Sequence, residues 1–194
     1  MTSTRIPDEL EVKAPVPDPT LVRRALVRAG AQLEFRGAML DRRLDRDGAL
    51  RARDEVLRLR TYVPADGAPG YGVLAWKGPP SAPGGYRRRA EVETRVADAA
   101  AALAILEQSG FSVAYEIHRT VEVYRLAGAV VRLEWYPAMD VLIEVEGEPA
   151  AIERAVPATG LPRESFVAES LEYFVAAYEA RTGRPARVSG LPSA

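Results

Sequence analysis

Charged residues recur at every second position in several short stretches of this chain, with apolar residues between them. Glu9-Leu10-Glu11-Val12-Lys13 is the first, followed by Leu57-Arg58-Leu59-Arg60, Arg89-Ala90-Glu91-Val92-Glu93, Arg132-Leu133-Glu134 and Ile143-Glu144-Val145-Glu146. On an extended backbone residues i and i+2 point the same way, so each stretch has one charged face and one apolar face. Carboxylates are hard oxygen donors suited to Mg²⁺ or Mn²⁺, and a pair at i and i+2 can converge on one ion. Arginine offers a planar fork that matches phosphate oxygens, and lysine a compact charge. Together they suit a ligand that is itself mixed, a polyanion escorted by divalent cations.

Strands must carry these faces. Period-two alternation predicts them at Glu9 to Lys13, Leu57 to Arg60, Val73 to Lys77, Arg89 to Glu93, Ile117 to Val123, Val130 to Glu134 and Leu142 to Glu146. Turn chemistry at Pro64-Ala65-Asp66-Gly67, in the Gly78 to Gly85 stretch and at Ala127-Gly128 separates some of them. The last predicts a hairpin joining Val121–Arg125 to Val130–Trp135. Helices are expected over Pro19 to Ala29 with Asp18 as N-cap and Gly30 as stop, over Asp98 to Gln108, over Ala150 to Val156 and over Ser170 to Ala180. Each half of the chain contains an acid-x-acid strand and a strand bearing bases, which suggests a duplication.

Two architectures fit these elements. An open sheet would leave the charged faces in water, with helices covering the apolar side. A sheet closed on itself would turn them into an interior that must hold ions, water or ligand. The pattern recurs on most strands and is rich in Arg and Glu rather than Thr, Lys and Ser, which favours closure. The expected fold class is α+β, a closed antiparallel β-barrel with helices packed outside. One domain is expected over residues 1–182, with a disordered tail over 183–194.

Composition narrows the function classes. The chain has 194 residues, 47% hydrophobic and 27% charged, enough for one globular core. Its net charge of −1, from 26 basic and 27 acidic residues, lacks the basic excess of a nucleic-acid binder. No apolar run approaches a membrane span, and the N-terminus lacks the layout of a secretory signal. The absence of cysteine removes disulfides and thiolate metal sites and agrees with a cytoplasmic location; a single histidine argues against a histidine-based zinc site.

At these residues the sequence resembles the CYTH family, the triphosphate tunnel metalloenzymes. Their Glu-x-Glu-x-Lys opening stands here as Glu9-Leu10-Glu11-Val12-Lys13, and their Leu-Arg-Ile/Leu-Arg strand as Leu57-Arg58-Leu59-Arg60. Trp76-Lys77-Gly78-Pro79 is similar to the Leu-Lys-Gly-Pro segment, and Arg89-Ala90-Glu91-Val92-Glu93 to the Arg-x-Glu-x-Glu strand. Leu133-Glu134 and Ile143-Glu144-Val145-Glu146 match the late acidic strands. The resemblance runs from Glu9 to Tyr178 and implies an eight-stranded tunnel open at both ends. It implies metal ions held by Glu9, Glu11, Glu134, Glu144 and Glu146. It also implies a triphosphate gripped by Lys13, Arg58, Arg60, Lys77 and a basic residue of a later strand, Arg119 or Arg132, with Arg89 and Glu91 in the substrate-facing set.

The chain departs from the family at three places. One strongly basic residue, Arg119, stands where a Lys-x-Arg pair is usual; Arg132 lies along Glu134's face and could compensate. Glu134 is one methylene longer than the usual Asp, and Glu169-Ser170-Leu171 replaces a segment that commonly begins with Lys. The leading expectation is hydrolysis of a triphosphate-bearing small molecule (inorganic triphosphate, thiamine triphosphate or a nucleotide), with metal-activated water attacking phosphorus while Lys13, Arg58 and Arg60 neutralise charge. A class IV adenylate cyclase and a non-catalytic triphosphate or polyphosphate binder are the alternatives, and a homodimer is left open. Alternation turns His118 away from the tunnel and gives Trp76 and Trp135 an outer-face packing role. Arg87 and Arg88 are expected on the solvated rim, and Arg89 and Glu93 could pair inside.

Overall fold

The structure is a computed structural model and describes residues 6–189. Eight antiparallel strands close into one barrel. In chain order they are β1 (Asp8–Pro15), β2 (Gln32–Asp45), β3 (Val56–Pro64), β4 (Tyr71–Lys77), β5 (Arg87–Val96), β6 (Ser112–Leu126), β7 (Ala129–Trp135) and β8 (Leu142–Glu146). Among the described residues four α-helices accompany them: α1 (Pro19–Arg28), α2 (Ala99–Gln108), α3 (Pro149–Ala158) and α4 (Leu171–Thr182). Around the barrel the order is β1-β5-β4-β3-β2-β6-β7-β8, with β8 pairing back onto β1. A strand, a helix and three strands occur twice in sequence, and exchanging the two sets leaves the barrel order unchanged. The suspected internal likeness therefore has a counterpart in topology.

Local chemistry sets the elements. Asp18 caps α1, accepting from the backbone N–H of Thr20 at 2.8 Å and of Leu21 at 3.2 Å, ahead of Pro19 at the first helical position. Asp98 does the same for α2 through Ala101. The expected β6–β7 hairpin forms on a two-residue loop. Ala127 and Gly128 both have positive φ, 53° and 87°, as the mirror-type turn that matches strand twist requires.

The main apolar core lies outside the barrel. Val12, Val131, Leu133, Ile143 and Val145 point outward and pack under Val22 and Leu26 of α1 and Ile152, Ala155 and Val156 of α3. A second cluster joins Ile117 and Leu142 to Leu171 and Phe174 of α4 and to Val188. Among the described residues no helix is long and apolar enough to cross a membrane.

Two expectations about the chain change here. β2 was not read from the sequence, and it supplies the eighth strand that the resemblance implied. Residues 183–189, assigned to a disordered tail, are held in place instead. Arg187 and Ala138 exchange backbone hydrogen bonds, Val188 accepts from the His118 backbone N–H at 2.7 Å, and its side chain is buried. One apolar side chain and three backbone hydrogen bonds outweigh the local Gly and Pro content. The remaining residues of that expected tail lie outside the described residues.

Candidate functional site: a charge-lined tunnel

Register decides what faces the barrel axis. Asp41 stands opposite Arg60 and Arg43 opposite Arg58 across β2–β3. Lys77 faces Glu91 across β4–β5, and Glu9 and Glu11 face Arg89 and Arg87 across β1–β5. Lys13 and Arg132 both flank Glu144, while Glu11 stands opposite Glu146. The tunnel contains a cavity of about 100 Å³ lined by nine cationic side chains and six carboxylates. That surplus of positive charge in a low-dielectric interior favours an anionic occupant.

Two ion-pair networks organise the wall. The first centres on Asp41, a residue the sequence reading missed, which is 2% exposed. Arg60 holds it with a two-pronged contact at 2.6 and 3.0 Å, Arg119 bonds it at 2.5 Å, and Arg58 lies 3.8 Å away. Burial opposes the Asp41 charge, but Arg60, Arg119 and Arg58 outweigh it and hold the pKa well below the usual carboxylate range.

The second network contains most of the predicted metal ligands. Lys13 sits between Glu11 at 2.5 Å and Glu144 at 2.8 Å. Lys77 bonds Glu9 and lies 3.1 Å from Glu91, and Arg132 bonds Glu144 and lies 3.7 Å from Glu146. Lys13 and Arg132 overcome burial to hold Glu144 well below its ordinary pKa. Burial pushes Glu11 up against Lys13, with Glu144 and Glu9 adding to the rise. Glu146 is pushed up to about 7, by burial first and by Glu9 second.

Glu134 joins the two networks. Its Oε2 accepts from the Tyr136 hydroxyl at 2.5 Å and lies 3.5 Å from Arg119. Burial and the adjacent carboxylate hold the Tyr136 phenol well above its ordinary pKa, so it keeps its proton. Four buried atoms in the tunnel have no hydrogen-bond partner among the described residues: Nε of Arg58, Arg119 and Arg132, and Oε1 of Glu134. Buried polar groups are normally paired, and each one left over costs about 1–3 kcal/mol.

Among the described residues no three acidic groups surround one point, because Glu9, Glu11 and Glu144 each meet a cation. The donor set nevertheless fits a hard divalent cation. It is all carboxylate oxygen, and Glu134 offers a buried acceptor with no donor.

The predicted residues fall into three groups. Glu9, Glu11, Lys13, Arg58, Arg60, Lys77, Arg89, Arg119, Arg132, Glu134 and Glu144 line the cavity. Glu91 and Glu146 are not among the lining residues and pair with Lys77 at 3.1 Å and Arg132 at 3.7 Å. The third group consists of residues that differ from expectation. Arg89 does not pair with Glu93, which is exposed; it donates to the carbonyls of Gly78, at 2.5 Å, and Asp54, so it braces two loops. Arg87 is not rim charge but lines the cavity 3.5 Å from Glu11, whereas Arg88 is 46% exposed beside Asp8. Glu169 is exposed and outside the cavity, whose α4 side is formed by Ser170, Leu171 and Glu172. His118 lies outside as expected, 3.3 Å from Glu116, and Trp135 packs on the outer core under Arg23.

The two mouths differ. Arg43 and Glu172, 3.1 Å apart, tie the start of α4 to one mouth. Toward the other, the tunnel faces of β2, β3 and β4 end in Phe35, Tyr62 and Tyr71, with the two tyrosine rings stacked at 4.7 Å and Phe35 edge-on.

No family model and no curated relative matches the sequence. Solved structures do match. A candidate adenylate cyclase from Vibrio parahaemolyticus superposes with a TM-score of 0.73 at 16% identity, covering 89% of this chain and 99% of that one. A Pyrococcus horikoshii protein gives 0.66 at 17% identity, over 86% of this chain and 98% of that one. A candidate adenylyl cyclase from Hippeastrum, described as having a dominant triphosphatase activity, gives 0.62 at 18% identity, over 94% of this chain and all of the other. At these identities the likeness is one of fold, and that fold is the tunnel barrel implied by the resemblance to the CYTH family.

Proposed function

We propose that this chain is a divalent-metal-dependent phosphohydrolase of the CYTH type that binds a triphosphate-bearing small molecule in its tunnel. The observation that carries the reading is the set of three buried arginine N–H donors, on Arg58, Arg119 and Arg132, with no acceptor among the described residues. Such donors in a cationic tunnel fit phosphate oxygens. Arg58 is the loosest of the arginines, with carboxylate contacts of 3.5 and 3.8 Å, and is free to turn toward a ligand. Arg60 is held at all three nitrogens by Asp41 and Tyr62, so it contributes mainly its field.

Glu9, Glu11, Glu134, Glu144 and Glu146 would hold Mg²⁺ or Mn²⁺. Bound there, the metal would polarise phosphoryl oxygens and offset charge on the leaving phosphate. Lys13 and Lys77 neutralise the carboxylates, and on binding they exchange those partners for phosphate oxygens. Every buried charge keeps a counter-charge in both states, as the cost of burying lone ions demands. During attack by water on the terminal phosphorus, Lys13, Arg58 and Arg60 neutralise charge gathering on the bridging and terminal oxygens.

Tripolyphosphate, thiamine triphosphate and ATP, each with Mg²⁺ or Mn²⁺, form the test. Orthophosphate release is the expected result. Cyclic AMP with pyrophosphate from ATP would establish the cyclase reading, which the names of the Vibrio and Hippeastrum proteins keep in view. Ligand-dependent thermal stabilisation without any product would establish a binding module. Glu11→Gln should lower turnover by at least about 100-fold, the scale of losing one electrostatic contact made in the transition state, while tripolyphosphate binding measured by calorimetry persists. Unchanged activity in that variant would remove Glu11 from the metal site.

A further inference from the structure

Tyr136 follows β7 directly and continues its alternation toward the tunnel, two positions beyond Glu134. Its hydroxyl donates to Glu134 Oε2 at 2.5 Å and accepts from Arg119 Nη1 at 3.3 Å. Arg119 is anchored at its other nitrogen by Asp41, at 2.5 Å. The chain Asp41, Arg119, Tyr136, Glu134 thus fixes one carboxylate oxygen from two sides and prevents the group from turning. The other oxygen is treated differently. Glu134 Oε1 is buried with no hydrogen-bond donor among the described residues, and its Arg132 contact is 4.0 Å, beyond bonding distance. Arg132 itself is engaged with Glu144.

We propose that Tyr136 is a positioning residue for a divalent cation, locking Glu134 Oε2 so that Oε1 is presented to the ion. The inference rests on the metal-dependent reading above. A buried carboxylate with both oxygens satisfied would be a structural brace. One with a single oxygen satisfied and the other left without a donor beside the cavity is poised as a ligand, and partners that orient a ligand are part of a metal site's affinity. Because Arg119 occupies the acceptor side of the phenol, the hydroxyl proton is directed at Glu134 and nowhere else.

Manganese binding in the absence of substrate, read by electron paramagnetic resonance of the free ion, tests this without recourse to turnover. Tyr136→Phe keeps the ring and removes the hydroxyl; Mn²⁺ affinity should fall about 10–100-fold. In Glu134→Gln the tyrosine has no carboxylate left to orient. Adding Tyr136→Phe to it should therefore weaken binding no further, the non-additivity of residues that act through one another. If the phenylalanine chain does not fold, Tyr136→Met, which also lacks the hydroxyl but retains apolar bulk, takes its place. Wild-type affinity in Tyr136→Phe, or additive losses in the double variant, would overturn the proposal. A wild-type chain that binds no Mn²⁺ would overturn this inference, whereas the metal-dependent reading falls only if turnover persists after divalent ions are removed, so the two failures are separable.

Discussion

Asp41 shows how a single buried charge governs the tunnel. Three arginines converge on it, and without it they would repel one another in a water-poor interior. Asp41→Asn should destabilise the fold by about 3–5 kcal/mol, the usual cost of leaving a buried charge without its partner. For a chain of this length that lowers the melting temperature by roughly 10 °C. The pH dependence follows from the direction of the shift. The folded pKa lies below the unfolded value, so the carboxylate's stabilisation is complete above about pH 4 and is lost as pH falls toward the folded pKa. Melting curves of the wild type should therefore drop steeply below pH 4, and Asp41→Asn should show a shallower drop from its lower starting point.

Residues like Glu11, Arg58 and Glu144 were legible in the sequence because an apolar residue stands on each side of them, which marks the face they share. Asp41 was not, because it is followed by Arg42 and Arg43 and the alternation disappears among charges. Its signal was the spacing Met39, Asp41, Arg43, recognisable only once the intervening Arg42 is known to have its own outer partner, Glu116 at 3.0 Å.

The same masking hid the whole of β2. Arg36 and Arg42 point outward to Glu122 and Glu116, so both faces of the strand are charged and no hydrophobic period remains. A second requirement of this strand is steric. At Gly37 an added Cβ would lie 2.1 Å from the Val63 carbonyl oxygen and 2.9 Å from the Phe35 ring, so β2 and β3 approach too closely for any side chain. Gly37→Ala should destabilise by about 1–3 kcal/mol, the range for overpacking, read as a lower melting temperature. Where local chemistry was unambiguous the elements were legible. The Asp18-Pro19 cap and the Ala127-Gly128 turn act within a few residues and need no tertiary partner. The 183–189 segment depends on Ala138, His118 and the second apolar cluster, all distant in sequence, and its Gly and Pro content pointed the wrong way.

Alternation is equally consistent with an open sheet and a closed one, so closure is a property of the whole chain. It rests on the β1–β8 and β1–β5 pairings, whose registers no local pattern specifies. Once closed, the molecule is inverted relative to an ordinary globule: the apolar core lies outside the sheet, and the interior holds paired ions. Its stability should therefore respond to ligands in a characteristic way. A polyanion alone would draw Lys13 and Lys77 away from the carboxylates and leave Glu9, Glu11 and Glu144 uncompensated. A divalent cation alone would leave the lysines and arginines in the same position. Together they exchange the pairs of Lys13 and Lys77 for external ones and leave the Asp41 network in place. Each ligand at 100 times its dissociation constant stabilises by about 2.7 kcal/mol when it acts independently. Mg²⁺ and tripolyphosphate added together should raise the melting temperature by clearly more than the sum of their separate shifts, because each lowers the electrostatic cost of the other. A thermal-shift matrix in both ligands measures this coupling directly, and strictly additive shifts would mean that metal and phosphate do not exchange partners with the same set of tunnel ion pairs.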